Sequence, residues 1–285
     1  MRHAAAPTLT PKQIQRAIDA VTPPVYADFR AAGVGLSIRK RRDAYRNFPA
    51  LKLYDLAFEK VLDEARNTPV DGVPAVWLVY NAGVIVKTPK SLFSIDLAHR
   101  LDVRFAEWLD FALLTHNHLD HYSPAFLSAM DEQGKTVVSN FFGNYGAQNE
   151  GRMRGGYTRR PKTFELGDVT VRTDITDHNG YLLDFTTTFE VTVGGWTLYH
   201  TGDTSTAARL APSVAPDLWI VHPRCGLNVA DGVRKFHPRK TAIVHLAEMG
   251  HGQWRWTFAD GREEAARAEA AGTEAVVPFW GERIV

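Results

Sequence analysis

The sequence has very little cysteine, because Cys225 is the only one among 285 residues. A single cysteine cannot form a disulfide within the chain, so nothing in the sequence indicates a disulfide-stapled extracellular fold. The first eleven residues contain no apolar run of signal-peptide length. No stretch reaches the roughly 20 apolar residues of a membrane span. We therefore expect a cytoplasmic protein that makes no contact with a membrane.

The sequence also lacks an excess of charge of one sign. Lys and Arg total 33 and Asp and Glu total 32, which gives a net charge of +1. A balance this even argues against attraction of the whole chain to nucleic acid or to an anionic surface. Hydrophobic residues make up 45% of the chain, enough for a substantial core. We expect a small-molecule substrate and no nucleic acid, and the sequence leaves a homo-oligomer open.

The first part of the chain has a helical pattern. Thr10 to Gln13 resembles a capping box, and Leu53, Leu56, Ala57 and Val61 share one face of a helix that follows Pro49. We therefore predict a helical N-terminal extension over residues 1–73 and a main domain over residues 74–285. The extension must bury its apolar stripes against the main domain, over its functional site, or against a second copy.

From residue 74 onward, short apolar stretches separated by turn residues predict strands. Gly167-Asp168 and Gly194-Gly195 each suit a two-residue hairpin turn. Helical patterns interrupt the strands at Pro124 to Asp131, around Pro238 to Lys240, and at Gly261 to Ala271. The pattern alone predicts helices and strands mixed without strict alternation.

Four side chains that can bind a metal lie within six residues: His116, His118, Asp120 and His121. They follow the apolar segment Phe111 to Leu114, which predicts a buried strand. Side chains two residues apart point the same way in extended backbone, so His116 and His118 can bind one cation. Asp120 and His121 can then face a second cation. The alternative, a polar loop without a metal, is the weaker interpretation of so dense a motif.

This motif resembles the signature of the metallo-β-lactamase superfamily, and further candidate ligands follow in the order typical of that family. They are His178, Asp203 and His245, each after a predicted strand. Asp96 matches an early aspartate that orients a ligand in the family. The resemblance runs from about residue 74 to the C terminus and implies an α+β fold, the αββα four-layer sandwich.

The resemblance also implies how the ligands divide. One metal ion would be held by His116, His118 and His178, a second by Asp120, His121 and His245, and Asp203 would bridge the two. Nitrogen and carboxylate ligands without thiolate favour zinc, with manganese and iron as alternatives. A hydroxide bound between the two divalent ions would attack the substrate, and Asp120 would handle the proton. Asp96 and His222 are expected behind the ligands or at the substrate.

The implied function is metal-dependent hydrolysis of an ester or lactone bond in a small anionic metabolite. Within the superfamily, Tyr199 to Thr204 and Val276 to Glu282 look most like the branch that contains ascorbate-6-phosphate lactonase. The basic segment Arg152 to Lys162 suits an anionic group, although a solvated loop is the alternative. Phosphodiester hydrolysis is the second expectation. A non-catalytic metal- or ligand-binding protein is the alternative from another class.

Overall fold

The computed structural model describes residues 49–139, 153–155, 161–179, 182–249 and 256–285. Within these ranges the chain forms two mixed sheets with helices packed against them. The helix start predicted at Thr10 to Gln13 lies outside the described residues. Most of the basic segment Arg152 to Lys162 also lies outside them, so its proposed contact with an anion stays a prediction.

The first sheet has the strand order β1-β2-β3-β4-β5-β6. Its strands are β1 (Ala75–Tyr80), β2 (Gly83–Lys87), β3 (Leu92–Ile95), β4 (Phe111–Leu114), β5 (Thr136–Ser139) and β6 (Met153–Gly155). Strands β1 to β3 are antiparallel, whereas β3 to β6 are parallel. The parallel half therefore brings the carboxyl ends of β3 and β4 to one edge of the sheet.

The second sheet has the order β13-β12-β11-β10-β9-β8-β7. Its strands are β7 (Lys162–Leu166), β8 (Val169–His178), β9 (Leu182–Val193), β10 (Trp196–His200), β11 (Leu218–Val221), β12 (Lys240–Ile243) and β13 (Glu274–Val276). Both predicted hairpin turns are confirmed, since antiparallel pairs flank Gly167-Asp168 and Gly194-Gly195. Strands β10 to β13 are parallel, which places the ends of β10, β11 and β12 side by side.

The described helices are α1 (Pro49–Asn67), α2 (Val103–Ala106), α3 (Pro124–Glu132), α4 (Val229–Phe236) and α5 (Phe258–Ala271). The predicted start of α3 is confirmed, because the Ser123 side chain accepts a hydrogen bond from Phe126 N. Helix α5 begins three residues earlier than predicted, because Thr257 and Asp260 form a capping box.

The helix predicted around Pro238 to Lys240 is wrong. Helix α4 ends just before this segment, with His237 as its C-cap at a φ of 52°, and Lys240 already begins β12. The physical reason is that Pro238 follows the cap, where it cannot continue a helix. Asn228 provides the real helix start, because its side chain accepts a hydrogen bond from Asp231 N.

Buried side chains of both sheets belong to one hydrophobic cluster, which includes Phe93 and Leu113 from the first sheet and Leu198 and Trp219 from the second. Helices α1 and α3 contact the first sheet, and α5 contacts the second. The expected α+β arrangement of two sheets between helices is therefore confirmed. Phe58 of α1 lies in the same cluster, so the last part of the predicted extension adds to this core. No helix in the described ranges is long and apolar enough to cross a membrane.

Candidate metal centre

The candidate ligands lie where strands of the two sheets end. His116 follows β4, His178 is the last residue of β8, Asp203 follows β10, and His245 follows β12. His178 was expected after a strand, but it is itself the last residue of β8. Short loops after strands of both sheets therefore supply the polar side chains of one site.

The three histidines that the resemblance assigns to one metal ion lie together. Potential ligand atoms of His116, His118 and His178 are all within 4.8 Å of one another. The ring centroids of His118 and His178 are 4.7 Å apart. His116 and His178 are buried, whereas His118 is partly exposed, so His118 lies toward the opening of the site.

The second assigned set also lies together. Ligand atoms of Asp120, His121 and His245 are within 4.8 Å of one another. Nε2 of His245 is 2.9 Å from Oδ2 of Asp120, and Nε2 of His121 is 3.4 Å from the same oxygen. His245 adopts a φ of 65°, a left-handed conformation that a non-glycine residue seldom takes. This conformation turns the chain out of β12 at the site.

Asp203 lies between the two sets. Its Oδ2 is 3.4 Å from Nε2 of His178 and 3.9 Å from Nε2 of His116, both in the first set. The same oxygen is 3.7 Å from Nε2 of His245, which belongs to the second set. Its other oxygen, Oδ1, is 3.2 Å from Nε2 of His121. One carboxylate thus reaches both sets, as a bridging ligand must.

Asp96 is fully buried behind the second set. Its Oδ2 is 2.8 Å from Nδ1 of His121 and accepts a hydrogen bond from Oγ1 of Thr115. Its Oδ1 accepts a hydrogen bond from Thr115 N, at 2.7 Å. Asp96 therefore holds the ring of His121 by the nitrogen opposite the one that faces Asp203. Thr115 Oγ1 is also 2.9 Å from Nδ1 of His116, so one hydroxyl contacts both Asp96 and His116.

His222 lies on the other side of Asp203. Its Nδ1 is 3.0 Å from Oδ1 of Asp203, and its ring stacks on that of His245 with centroids 3.7 Å apart. Burial, together with the nearby His245 ring, lowers the pKa of His222 to about 3. A neutral His222 can donate Nδ1–H to the Asp203 carboxylate, which orients that carboxylate.

Asn81 belongs to the site although no sequence pattern indicated it. This residue lies in the turn between β1 and β2 at a φ of 55°. Its Nδ2 donates to the backbone oxygen and to Oδ2 of Asp120, both at 3.2 Å. Its own backbone oxygen accepts a hydrogen bond from His245 N. An asparagine between two apolar strands signals a turn, because asparagine tolerates positive φ, but that signal says nothing of Asp120.

Cys225 was also missed as a member of this site. Its Sγ lies within 4.8 Å of ligand atoms of His178 and Asp203. Burial and the charge of Asp203 raise the pKa of this thiol. The only sequence signal was its position three residues after His222.

The buried histidines and aspartates of the site shift one another's pKa values. Burial lowers the pKa of His116 well below its usual value, and the nearby His121 lowers it further. Burial alone would raise the pKa of Asp203, but the facing imidazoles, His121 first, hold it well below its usual value. Burial alone would lower the pKa of His121, but Asp203, Asp120 and Asp96 raise it well above its usual value. The protein therefore surrounds buried anions with imidazoles, an environment that favours a cation.

Unsatisfied nitrogens mark where cations fit. Nε2 of His116, of His121 and of His178 is buried in each case and makes no well-formed hydrogen bond among the described residues, although each lies 3.2–3.9 Å from an oxygen of Asp203. A buried polar atom left without a partner costs about 1–3 kcal/mol. Each of these nitrogens faces Asp203. Coordination to divalent ions would satisfy all three, so the residues present fit a pair of such ions.

Solved structures with the same fold support this reading of the architecture. Igni18 is a metallo hydrolase from the archaeon Ignicoccus hospitalis. Its superposition covers 74% of this chain and 97% of the Igni18 chain, with a TM-score of 0.58 and 17% sequence identity. YhfI from Bacillus subtilis is a metallo-β-lactamase fold protein. Its superposition covers 74% of this chain and 99% of the YhfI chain, with a TM-score of 0.55 and 16% sequence identity.

A third similarity extends over more of the chain. CmlA from Streptomyces venezuelae is a diiron β-hydroxylase. Its superposition covers 93% of this chain and 62% of the CmlA chain, with a TM-score of 0.55 and 15% sequence identity. Neither a protein-family model nor a curated protein sequence matches the chain. At these identities a structural likeness establishes the fold alone. On this evidence, the chain has the metallo-β-lactamase fold.

Proposed function

We propose that the chain is a metal-dependent hydrolase with two divalent ions at the candidate metal centre. The observation that carries this proposal is the position of Asp203, whose Oδ2 lies 3.4 to 3.9 Å from imidazole nitrogens of both ligand sets. The three buried Nε2 atoms that make no hydrogen bond among the described residues support the same assignment. His116, His118 and His178 would hold one ion, Asp120, His121 and His245 the other, and Asp203 both.

Bound there, a pair of divalent ions would supply Lewis acidity, which lowers the pKa of water toward neutrality and polarises an electrophilic carbonyl or phosphoryl group. The chain's own residues do the rest. Burial alone would raise the pKa of Asp120, but His121 and His245 hold it well below its usual value. Asp120 is therefore an anion at neutral pH and can take up a proton from an attacking water.

Three residues would keep this machinery in place. Asp96 fixes the ring of His121, His222 fixes the carboxylate of Asp203, and Asn81 fixes the carboxylate of Asp120. Each hydrogen bond restricts a ligand before substrate arrives. Such preorganisation lowers the cost of reaching the reactive geometry.

We propose an ester or lactone of a small anionic metabolite as the substrate. The basic segment Arg152 to Lys162 supplies the argument for an anion. Exposed apolar side chains at the opening argue for a carbon skeleton beside the scissile bond: Leu119 lies between His118 and Asp120 and is 73% exposed. Leu182, on the strand that pairs with His178, is also exposed.

A substrate panel tests the reaction. We expect the chain loaded with zinc, manganese or iron to hydrolyse lactones or aryl esters faster than bis-aryl phosphates. Activity on the phosphates alone would replace the ester assignment with phosphodiester hydrolysis, since two metal ions suit that displacement equally well. Tight binding of two metal equivalents without any turnover would favour a non-catalytic binding protein.

Two variants test the assigned residues. We expect His116→Ala and Asp120→Ala each to abolish turnover, because each removes a ligand, and Asp120→Ala also removes the proton acceptor. Circular dichroism should show that both variants remain folded, and metal analysis should show a lower content of bound ions. Undiminished turnover in either variant would refute the assignment.

Oxidation at iron is the second candidate function. It is favoured by the similarity to the diiron protein CmlA, which extends over more of the chain than the similarity to the metallo hydrolase. Histidine and carboxylate ligands suit iron as well as zinc. Reduced iron-loaded protein that consumes dioxygen, with no hydrolysis by the zinc-loaded protein, would decide for this alternative.

A further inference from the structure

Cys225 lies in the loop after β11, beside the two ligand sets but assigned to neither. Its Sγ is within 4.8 Å of ligand atoms of both His178 and Asp203, and those two are equally close to each other. The same sulfur is 3.8 Å from Nδ1 of His222. A sulfur, an imidazole nitrogen and a carboxylate oxygen thus converge on one point.

His178 provides an independent reason to place a ligand there. Its side chain is only 4% exposed, and both of its ring nitrogens are buried without a hydrogen-bond partner among the described residues. The closest carboxylate contact of the ring is the 3.4 Å approach of Nε2 to Oδ2 of Asp203, and no hydrogen bond from the described residues fixes its orientation. The ring can therefore serve either the group with His116 and His118 or the group with Cys225.

From this geometry we propose that Cys225, His178 and Asp203 form an alternative cation site for thiophilic divalent ions such as cadmium or excess zinc. Thiolate ligands select soft ions, whereas manganese and magnesium prefer oxygen. When the ion binds, the sulfur–hydrogen bond of Cys225 breaks, its electron pair forms the bond to the ion, and one proton leaves to solvent.

The site has a regulatory consequence that rests on the proposed function. His178 and Asp203 also belong to the proposed catalytic pair, and a neutral imidazole offers only one lone pair at a time. A soft ion at Cys225 therefore withdraws His178 from the catalytic pair and competes with that pair for the oxygens of Asp203. Excess cadmium inhibits the enzyme through this site, whereas excess manganese does not.

Absorption spectroscopy tests the site directly, because Cys225 is the only cysteine in the chain. Any thiolate-to-cadmium charge-transfer band in the ultraviolet must come from this residue. We expect the band when the full-length protein is titrated with cadmium, no such band with manganese, and no band with cadmium in Cys225→Ser. The wild-type comparison of the two metals needs no variant and so does not depend on the folding of Cys225→Ser.

Inhibition provides the second readout. We expect the concentration of cadmium that halves activity of the manganese-loaded protein to rise at least tenfold in Cys225→Ser. Cadmium uptake without the charge-transfer band, or equal inhibition of the wild type and Cys225→Ser by cadmium, would overturn the alternative site. Neither result would contradict the proposed hydrolase function. A cadmium band in a protein that hydrolyses nothing would support the site and refute the proposed function.

Discussion

Asn81 joins two parts of the centre that are far apart in the chain. Its side chain donates to Asp120, and its backbone oxygen accepts from His245 N. The residue is 1% exposed and adopts a φ of 55°. It can therefore hold the loop after β4 and the loop after β12 at a constant separation.

Replacement of Asn81 tests this role. Asn81→Gly keeps the positive φ but removes the hydrogen bonds to Asp120, so we expect kcat/KM to fall about 10–100-fold, as for other residues that support metal ligands. Metal affinity should fall in the same variant, as measured by competition with a chelator. Asn81→Asp, which places a second carboxylate beside Asp120, should lose more activity than Asn81→Gly. Wild-type kcat/KM in Asn81→Gly would contradict the role.

At the scale of an element, the turn after β10 places Asp203. Gly202 has a φ of 51°, and a Cβ on it would lie 2.8 Å from Cβ of Thr115 and 2.9 Å from Cγ2 of Thr186. Any other residue would push this turn away from the loop that carries His116. The close contact therefore sets the position of the Asp203 carboxylate.

Two alanine variants distinguish the effect of this close contact on stability from the effect of the left-handed backbone. Gly194→Ala has nearly the same φ, 54°, but nothing within 4 Å of the added Cβ. Each substitution should cost about 1–2 kcal/mol for the left-handed backbone. Gly202→Ala should lose roughly 1–3 kcal/mol more from overlap, measured by urea unfolding. It should also lose activity, whereas Gly194→Ala should not. Equal losses of stability in the two variants would show that the contact has no effect.

The start of α2 contains a buried carboxyl group, that of Asp102. Burial raises the pKa of Asp102 to about 6, although hydrogen bonds from His99 N and the Ser123 side chain oppose the rise. The folded state therefore binds this proton more tightly than the unfolded state. As pH rises from about 4 to 6, the unfolded state releases the proton first and stability falls.

Asp102→Asn should remove this penalty. A difference of two pKa units corresponds to about 3 kcal/mol, so the variant should gain up to about that much at pH 7 and little at pH 4. Urea unfolding at pH 4, 5, 6 and 7 measures the gain. Burial also lowers the pKa of His99, so protonation of this residue destabilises the fold as pH falls. That effect is the same in the wild type and in Asp102→Asn. Exposed Asp71→Asn is the control, and a gain independent of pH would contradict the prediction.

At the scale of the whole molecule, the residues of the candidate metal centre come from both sheets. Asp96 and His116 follow strands of the first sheet, and His178, Asp203 and His245 belong to the second. Cations held between them would bind the folded chain and not the unfolded one. Metal binding should therefore stabilise the complete sandwich.

Removal of metal tests this coupling. A ligand at 100 times its Kd adds about 2.7 kcal/mol per site, so two ions would add about 5.4 kcal/mol, which corresponds to roughly 10–20 °C in Tm for a domain of this size. We expect a chelator to lower Tm by that amount, and added zinc to restore it. In His178→Ala the shift should be smaller, because the first ion loses a ligand. A chelator that leaves Tm unchanged would argue against the centre.

Short-range geometry explains what could be predicted from the sequence. The four ligands from His116 to His121 are close in the chain, so a strand followed by a loop already decides their direction. Hairpin turns such as Gly194-Gly195 depend on local backbone preferences and were predicted correctly. Pro238 shows the limit, because the same residue can follow a helix or precede one, and only the cap at His237 decided which.

The sequence by itself determined the fold class and indicated the types and order of the candidate ligands, because these depend on neighbouring residues and on a resemblance. Only the tertiary structure decided that Asn81 contacts Asp120, that His222 stacks on His245, and that Cys225 approaches His178. Those contacts depend on which strands are neighbours and how two sheets face each other. Packing of the whole chain sets these distances, and no local pattern encodes them.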